Sequence, residues 1–514
     1  MGDSAHATLP VTEALTGPCT GPDTRPGDAK EARLAVPLFP APAEEPQGSA
    51  KRPIAVIGAG FSGTIVALQL LRRLPRDQPV LLCERSPEFA RGVAYATGDT
   101  DHLLNVRAAN MSALPDEPRH FEDWLKRRAA RAGADRLHDT EAGLFASRGL
   151  YGQYLRSILD DAMRETAGRA QLRLLPDEVV DIVAASHGEY HLVCASGQLL
   201  EVAGVVLAVG NLPPEEGEDS GICRNPWGEK AWRPLAPDKP VLIVGTGLTM
   251  VDIALSLRRR GFAGGIVALS RGGKLPQRHA RSAAWPTPHM TMAETGSVRR
   301  LMARLREEVA AAAAQGIDWR AVIDSMRPVT ASLWARLPLA ERQRFLRHAR
   351  RAWDVHRHRM APPHADLLAA MIAEGSLRVV AGRVRGFSCG ADSVQVRYCA
   401  RATAAEATLE VQRVIMASGL EHISRTRDTL MQRLLDSGLV RLDGQGLGID
   451  VTDGLNAISR DATVAERIWA LGPIVRGVFW ECVAVPDIRV QAAHVAVSVV
   501  ARLREDAPRW SFMI

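Results

Sequence analysis

The sequence predicts an α/β fold of two Rossmann-like domains with β-meanders and a helical subinsert. Three observations predict it. A short apolar run, a glycine turn and a helical stretch open at Ile54 and open again at Val241. Each opening leads on to short candidate strands and then to an apolar strand ending in glycine, at Gly210 and at Gly419. Between the second opening and its strands lies a long Ala-, Arg- and Leu-rich stretch, roughly 293–375, with helical periodicity. A pattern that occurs twice implies two halves of one architecture.

At 514 residues the chain is too long for one compact domain. Its 46% hydrophobic and 24% charged residues are those of a globular protein able to bury large cores. It has no apolar run of 18 residues, which argues against a membrane span, and its first residues lack the pattern of a secretory signal. The seven cysteines (19, 83, 194, 223, 389, 399 and 482) are scattered with no C-x-x-C pair, which argues against a disulfide framework, a zinc site or a redox dithiol. That usage fits a reducing, cytoplasmic setting. The net charge is +6, and only 6 of the 64 basic residues are lysine. With no nucleic-acid-binding motif, this basic character reads as solvated surface suited to anionic small molecules rather than to nucleic acid.

Residues 1–50 hold eight Pro, five Gly and seven acidic residues without helical or strand period, and residues 1–52 are expected to be a disordered tail. Ile54–Ile57, the glycine turn and the apolar helix that follows, then Val80–Cys83, form a β-α-β opening. Residues 91–125 mix Gly, Asn, Pro and Ser with short apolar stretches and read as loops and short helices. A helix is expected over 151–165, then strands at 178–184, 190–195, 198–203 and 205–210. The second opening, 241–270, is followed by the helical stretch and by strands at 377–381, 393–398, 408–412 and 414–419. The expected organisation is therefore a first domain at 53–235, a second inserted at 236–384, and the first domain resumed at 385–514.

Gly58-Ala59-Gly60-Phe61-Ser62-Gly63 is a G-x-G-x-x-G turn between strand and helix, with Glu84 ending the next strand. Gly58 allows the tight turn, Gly60 lets a pyrophosphate approach the backbone, and Gly63 lets helix and strand pack closely. The helix N-terminus offers free N–H groups to phosphate, and Glu84 can accept from a ribose diol. The second turn, Gly245-Thr246-Gly247, has Met250 in place of the third glycine, and its next strand ends in Ser270-Arg271 with no acid. A small residue followed by Arg removes repulsion against a 2′-phosphate and supplies a cation, which favours NADPH over NADH. One acid-terminated and one Arg-terminated site suggest FAD in the first domain and NADPH in the second, the two-dinucleotide flavoprotein plan. Val179 and Val180 are candidates to flank the adenine.

The chain resembles the FAD/NAD(P)-binding oxidoreductases named for their FAD-NAD(P)-binding domain. The resemblance rests on GAGFSGT (58–64), RGVAYATGDTDHLLNVRAANMSALPD (91–116), RGLYGQYL (148–155), VLIVGTGLTMVDIALSL (241–257), RRAWDVHRHRMAP (350–362) and WALGPIVRGVFWECVAVPDIRVQA (469–492). It implies a flavoprotein near the class B flavin monooxygenases, which reduce FAD with NAD(P)H, trap O₂ as a C4a-hydroperoxide and transfer one oxygen atom to a small-molecule substrate. Urate hydroxylation is one implied activity. N-hydroxylation of an amino acid or amine, or NAD(P)H:acceptor reduction without oxygenation, are the alternatives. By family position Asn105 and Val106 would line the flavin, Gly472 and Pro473 would approach the ribitol, and the helix from Asp487 would aim its N-terminus at the flavin pyrimidine. Pro473 stands where many flavoproteins have Asp, so a ribitol-binding carboxylate is not expected there.

The run Arg347, His348, Arg350, Arg351, Trp353, His356, Arg357, His358, Arg359 is the most unusual in the chain. Helical spacing puts His356 and Arg359 on one face with Trp353. His356, Arg357 and Arg359 are accordingly expected to form an anion subsite, for substrate or for the 2′-phosphate. His279 and His289, flanking Trp285, are weaker candidates for substrate contact. No Ser-His-Asp set, paired carboxylates or metal cluster stands out, which leaves hydrolase and metalloenzyme readings without support.

Overall fold

The structure is a computed structural model that describes residues 7–10, 51–132, 137–169, 171–185, 188–212, 214, 220–419 and 423–505. In chain order its main elements are β1 (Ala7–Pro10), β2 (Ile54–Ile57), α1 (Phe61–Leu71), β3 (Val80–Cys83), α2 (His120–Ala132), the hairpin β4–β5 (Leu137–Thr140, Gly143–Ala146), α3 (Arg148–Thr166) and β6 (Leu172–Leu175). The meander β7–β9 (Val179–Ala184, Tyr190–Cys194, Leu199–Val202) and β10 (Gly204–Leu207) complete the first stretch. Then come β11 (Ile222–Cys223), β12 (Val241–Val244), α4 (Leu248–Arg259) and β13 (Ile266–Ser270). The helical insert holds α5 (Val298–Ala314), α6 (Trp319–Ser325), α7 (Arg327–Arg336), a π-helical turn (Phe345–Ala349), α8 (Arg350–Arg357) and α9 (Pro362–Ala373). The chain closes with β14 (Leu377–Cys389), β15 (Val394–Ala400), β16 (Glu406–Val411), β17 (Arg413–Met416), α10 (Thr429–Ser437), β18 (Asn456–Ile458), β19 (Val464–Ala470) and α11 (Val485–Glu505).

The duplication read from the glycine turns is a duplication of topology. The first sheet runs β18-β19-β10-β2-β3-β6 and the second β11-β17-β12-β13-β14-β15-β16. The order β10-β2-β3-β6 therefore recurs as β17-β12-β13-β14, all parallel. The central strands are buried along their length because both faces are covered; in the second sheet α4 and α9 cover one face, and Phe387, Val394, Val396 and Val411 of the meander cover the other. The halves differ at one joint. Pro176, which has no N–H for a ladder, separates β6 from β7, so the first meander is a sheet of its own. The equivalent stretch has no proline, and β14 runs on through Gly382 from parallel pairing with β13 into antiparallel pairing with β15.

This topology moves two expected boundaries. Strand β11 pairs with β17, so the second domain begins before 236. The boundary at 384/385 cuts β14, and β15, β16 and β17 stay in the second sheet, so the chain returns to the first domain only after Met416. The disordered-tail expectation for 1–52 also needs correction in part: Ala7–Pro10 pairs antiparallel with Gly386–Cys389. Most of the rest of that tail lies outside the described residues.

One core surrounds the first sheet, two cover the faces of the second, and smaller ones fill the helical insert. Among the described residues, no helix is long and apolar enough to cross a membrane.

Candidate active site

Each glycine turn is fixed by the same backbone contacts. Gly58 N–H donates to Cys83 O over 2.9 Å, and Gly245 N–H donates to Leu269 O over 2.8 Å. Both glycines have positive φ, +93° and +124°, and a Cβ would lie 2.7 Å from Ala208 O at Gly58 and 2.1 Å from Ala417 O at Gly245. No other residue fits either turn. At Gly63 a Cβ would meet Gly58 O at 1.7 Å, which is the close helix–strand contact the third glycine permits. Met250 replaces that glycine in the second copy and is buried in the core with Ile243 and Ile253. Gly60 is the N-cap of α1 and has no side chain to occupy the first-turn N–H groups, which stay available to an anion. Gly60 also faces Gly92, whose Cβ would come within 3.0 Å of the Gly60 Cα, so two glycines form the bare floor of the cradle.

Glu84 sits where the motif requires and does a second task. Its Oε2 accepts from Ala59 N–H over 2.8 Å, tying the strand end to the glycine turn. Gly472, at the end of β19, has φ +78°, and a Cβ there would meet Ser62 Oγ at 2.7 Å. Gly472 N–H donates to Gln491 Oε1 over 2.9 Å, and Cys482 Sγ–H donates to Gly472 O over 3.0 Å. The last strand's Gly-Pro turn is thereby clamped over the start of α1 by two residues that sequence reasoning did not single out. Val180 and Val179 alternate on β7, with Val179 in the core and Val180 on the opposite, half-buried face. Gly210 and Gly419 have φ +70° and +104° with open space around them, as expected where the chain leaves each sheet.

Asn105 and Val106 follow the bridge that Leu103 makes with Ser147. The Asn105 carbonyl accepts from His279 Nε2 over 3.0 Å, and Arg107 donates to Ala280 O over 3.0 Å, so the loop after β13 closes onto this stretch. His279 is buried, and burial, then the charge of Arg359, push its pKa down to about 3. It is neutral, with its proton on Nε2 and a bare, unpartnered Nδ1. Arg359 is only 1% exposed, pairs with Asp324 and leaves Nε and Nη1 without partners.

In the basic run, Arg357 and Arg359 are paired with acids rather than converging on one face with His356. Helix α8 ends at Arg357, and His358 has left helical geometry, so Arg359 is not on the face assigned to it. His356 and Arg359 still meet, around Trp319, at ring-centroid distances of 4.9 and 5.9 Å. His356 Nδ1 is within 2.7 Å of Ala352 O in its own helix. Arg357 donates to Glu481 Oε2 over 3.0 Å, and Trp353 donates to Glu481 Oε1 over 2.6 Å. Glu481, which no motif flagged, is buried at φ +70°, an unusual conformation for a non-glycine residue that only its surroundings can hold. Just beyond it, Asp487 in the first turn of α11 pairs with Arg327 over 2.6 Å, and burial raises its pKa.

The member of the run that reaches a nucleotide turn is Arg351. A Cβ on Gly272 would lie 2.6 Å from Arg351 Nη1, so this guanidinium covers the end of β13 beside Arg271. Burial and the like charges of Arg271 and Arg401 push the Arg351 pKa down. None of the three pairs with a carboxylate among the described residues. Ser270 Oγ lies 2.9 Å from Thr246 Oγ1, holding the strand end to the second glycine turn.

Two sheets with equivalent strand order, each carrying a glycine turn at the same edge, are what a pair of adenine dinucleotides requires. Residues 55–212 match the FAD-NAD(P)-binding family. The fold as a whole is similar to that of solved ornithine and lysine hydroxylases. Ornithine hydroxylase from Pseudomonas aeruginosa superposes at TM-score 0.58 with 14% identity, covering 88% of this chain and 99% of that one. The ornithine N-hydroxylase of Kutzneria sp. 744 gives 0.57 at 15% identity, and L-lysine 6-monooxygenase from Pseudomonas syringae 0.57 at 16%, each covering 88% of this chain and 100% of the other. No curated protein matches the sequence. The cradle fits FAD: Gly60, facing Gly92, leaves the first-turn N–H groups of α1 bare for a pyrophosphate, while Gly58, Gly63 and Gly472 let strand, turn and helix pack closely around it.

Proposed function

We propose that this protein is an FAD- and NADPH-dependent monooxygenase that N-hydroxylates a small amine or amino acid, with O₂ as co-substrate. The observation that carries the reading is the set Arg271, Arg351 and Arg401 at the end of the second dinucleotide strand. Three guanidiniums without carboxylate partners among the described residues suit the 2′-phosphate of NADPH. The fold shared with ornithine and lysine hydroxylases over 88% of the chain supports N-hydroxylation better than urate hydroxylation, the activity favoured by the family resemblance.

Bound FAD would supply the electron relay and the oxygen chemistry. The chain's part is placement and charge. The first turn of α1 would hold the pyrophosphate, Glu84 the ribose, and the Gly472 turn the ribitol. The N-terminus of α11 would bring positive dipole, tempered by Asp487, toward a flavin bound there. Neutral His279 fixes the Asn105 backbone without adding charge, whereas Arg107 and Arg359 do add it. His356, Arg357 and Arg359 act through Glu481, Asp324 and Trp319 as positioning residues.

Purified protein supplied with FAD should be yellow, be bleached by NADPH, and convert an amine to its hydroxylamine with one O₂ consumed per NADPH. Rapid flavin reduction with no hydroxylated product from any amine or amino acid would make it an NADPH:acceptor reductase instead.

A further inference from the structure

The helical insert meets the first domain around a cavity of about 80 Å³, between α5, α7, α8 and the loop that carries Trp480. Its wall includes Leu301, Leu305, Leu333, Trp334, Trp353 and Trp480. Three of the four polar groups on this wall are already used. Trp334 Nε1 donates to Gly477 O over 2.8 Å, Trp353 Nε1 to Glu481 Oε1 over 2.6 Å, and Thr330 Oγ1 to Met326 O over 2.9 Å. The Trp480 indole nitrogen is buried and has no hydrogen-bond partner among the described residues. The cavity is therefore lined by hydrocarbon and aromatic carbon.

It adjoins the candidate active site. Trp353 forms cavity wall with its ring and grips Glu481 with its nitrogen, and Glu481 holds Arg357 on the side of Arg359 and His279. Trp480 and Glu481 are consecutive in the loop that links the Gly472 turn to α11. Pockets at domain junctions with apolar walls and a polar rim are the usual form of a small-molecule site.

Resting on the monooxygenase reading, we infer that this cavity takes the hydrocarbon tail of the substrate, which makes the substrate an amine or amino acid with a short branched aliphatic side chain. A second charged group, as in ornithine, lysine or cadaverine, would lose its hydration against this wall and gain no partner. Each buried CH₂ favours binding about fourfold.

The test uses the full chain loaded with FAD and two matched probe pairs: 3-methylbutylamine against cadaverine, and leucine against ornithine. Binding is read from tryptophan fluorescence, since three indoles line the cavity, and independently from stimulated NADPH oxidation. A branched aliphatic probe should bind at least tenfold more tightly than its charged counterpart. Leu301→Trp and Thr330→Met, which fill the cavity from two helices, should each weaken that binding at least tenfold while the flavin content shows that the protein has folded. Equal or tighter binding of cadaverine and ornithine, no binding of any probe, or unchanged affinity in a flavin-loaded filled variant overturns the inference. Fluorescence binding without NADPH oxidation would leave the cavity assignment intact and defeat the monooxygenase reading.

Discussion

His279 Nε2 donates to the Asn105 carbonyl over 3.0 Å and so ties the loop behind the second dinucleotide strand to the stretch expected to line the flavin. The two residues are 174 positions apart in the chain, and the imidazole between them is buried and neutral. The contact couples the two domains through an imidazole whose protonation, on Nδ1, would leave the bond in place but put a charge in a buried site beside Arg359.

Acid should therefore weaken the protein at this joint. The folded-state pKa of His279 is about 3, below the ordinary value of 6.5. Below pH 6.5 the unfolded chain takes up a proton that the folded one refuses, so this stabilisation is full at neutral pH and is lost as pH falls toward 3. The slope is at most about 1.4 kcal/mol per pH unit. Urea midpoints at pH 7 and pH 5 should differ less in His279→Gln than in the parent. Parallel pH profiles would refute the assignment.

Glu481 and Arg357 should behave as one unit. Removing either leaves a buried charge unpaired and should cost about 3–5 kcal/mol in urea denaturation. The double substitution Glu481→Gln with Arg357→Met should cost less than the sum, with a coupling of about 1–3 kcal/mol. Strict additivity would mean that the 3.0 Å contact carries no energy.

The two glycine turns should differ in tolerance. Gly63→Ala drives a Cβ to 1.7 Å from Gly58 O and should cost about 3 kcal/mol and most of the flavin, read as absorbance near 450 nm. Gly247 has nothing within 4 Å of a Cβ. Gly247→Ala should keep its flavin and raise the KM for NADPH. Loss of flavin from Gly247→Ala would contradict the assignment of the second turn to the nicotinamide nucleotide.

Arg271→Ala, Arg351→Ala and Arg401→Ala should each raise the KM for NADPH about tenfold, with little change for NADH, and the effect should shrink at high salt. Equal effects on the two nucleotides would remove the 2′-phosphate from the account.

Local sequence determined the α/β class, the two glycine turns and their repetition, because a tight turn between strand and helix leaves few residue choices at Gly58, Gly63 and Gly245. It also marked the basic run at 347–359 as unusual, and put Glu84 at the end of the strand that follows the first turn. It could not say which arginine of that run reaches the end of the second dinucleotide strand: α8 stops at Arg357, so the periodicity that paired His356 with Arg359 lapses there, and Arg351 is the one carried to Gly272. The domain boundaries escaped for a similar reason, since β14 is one continuous strand whose two halves pair with different neighbours. Glu481, His279 and the apolar cavity belong to tertiary structure alone. Each depends on segments more than 100 residues apart meeting at a domain junction, and neither propensity nor spacing encodes such a meeting.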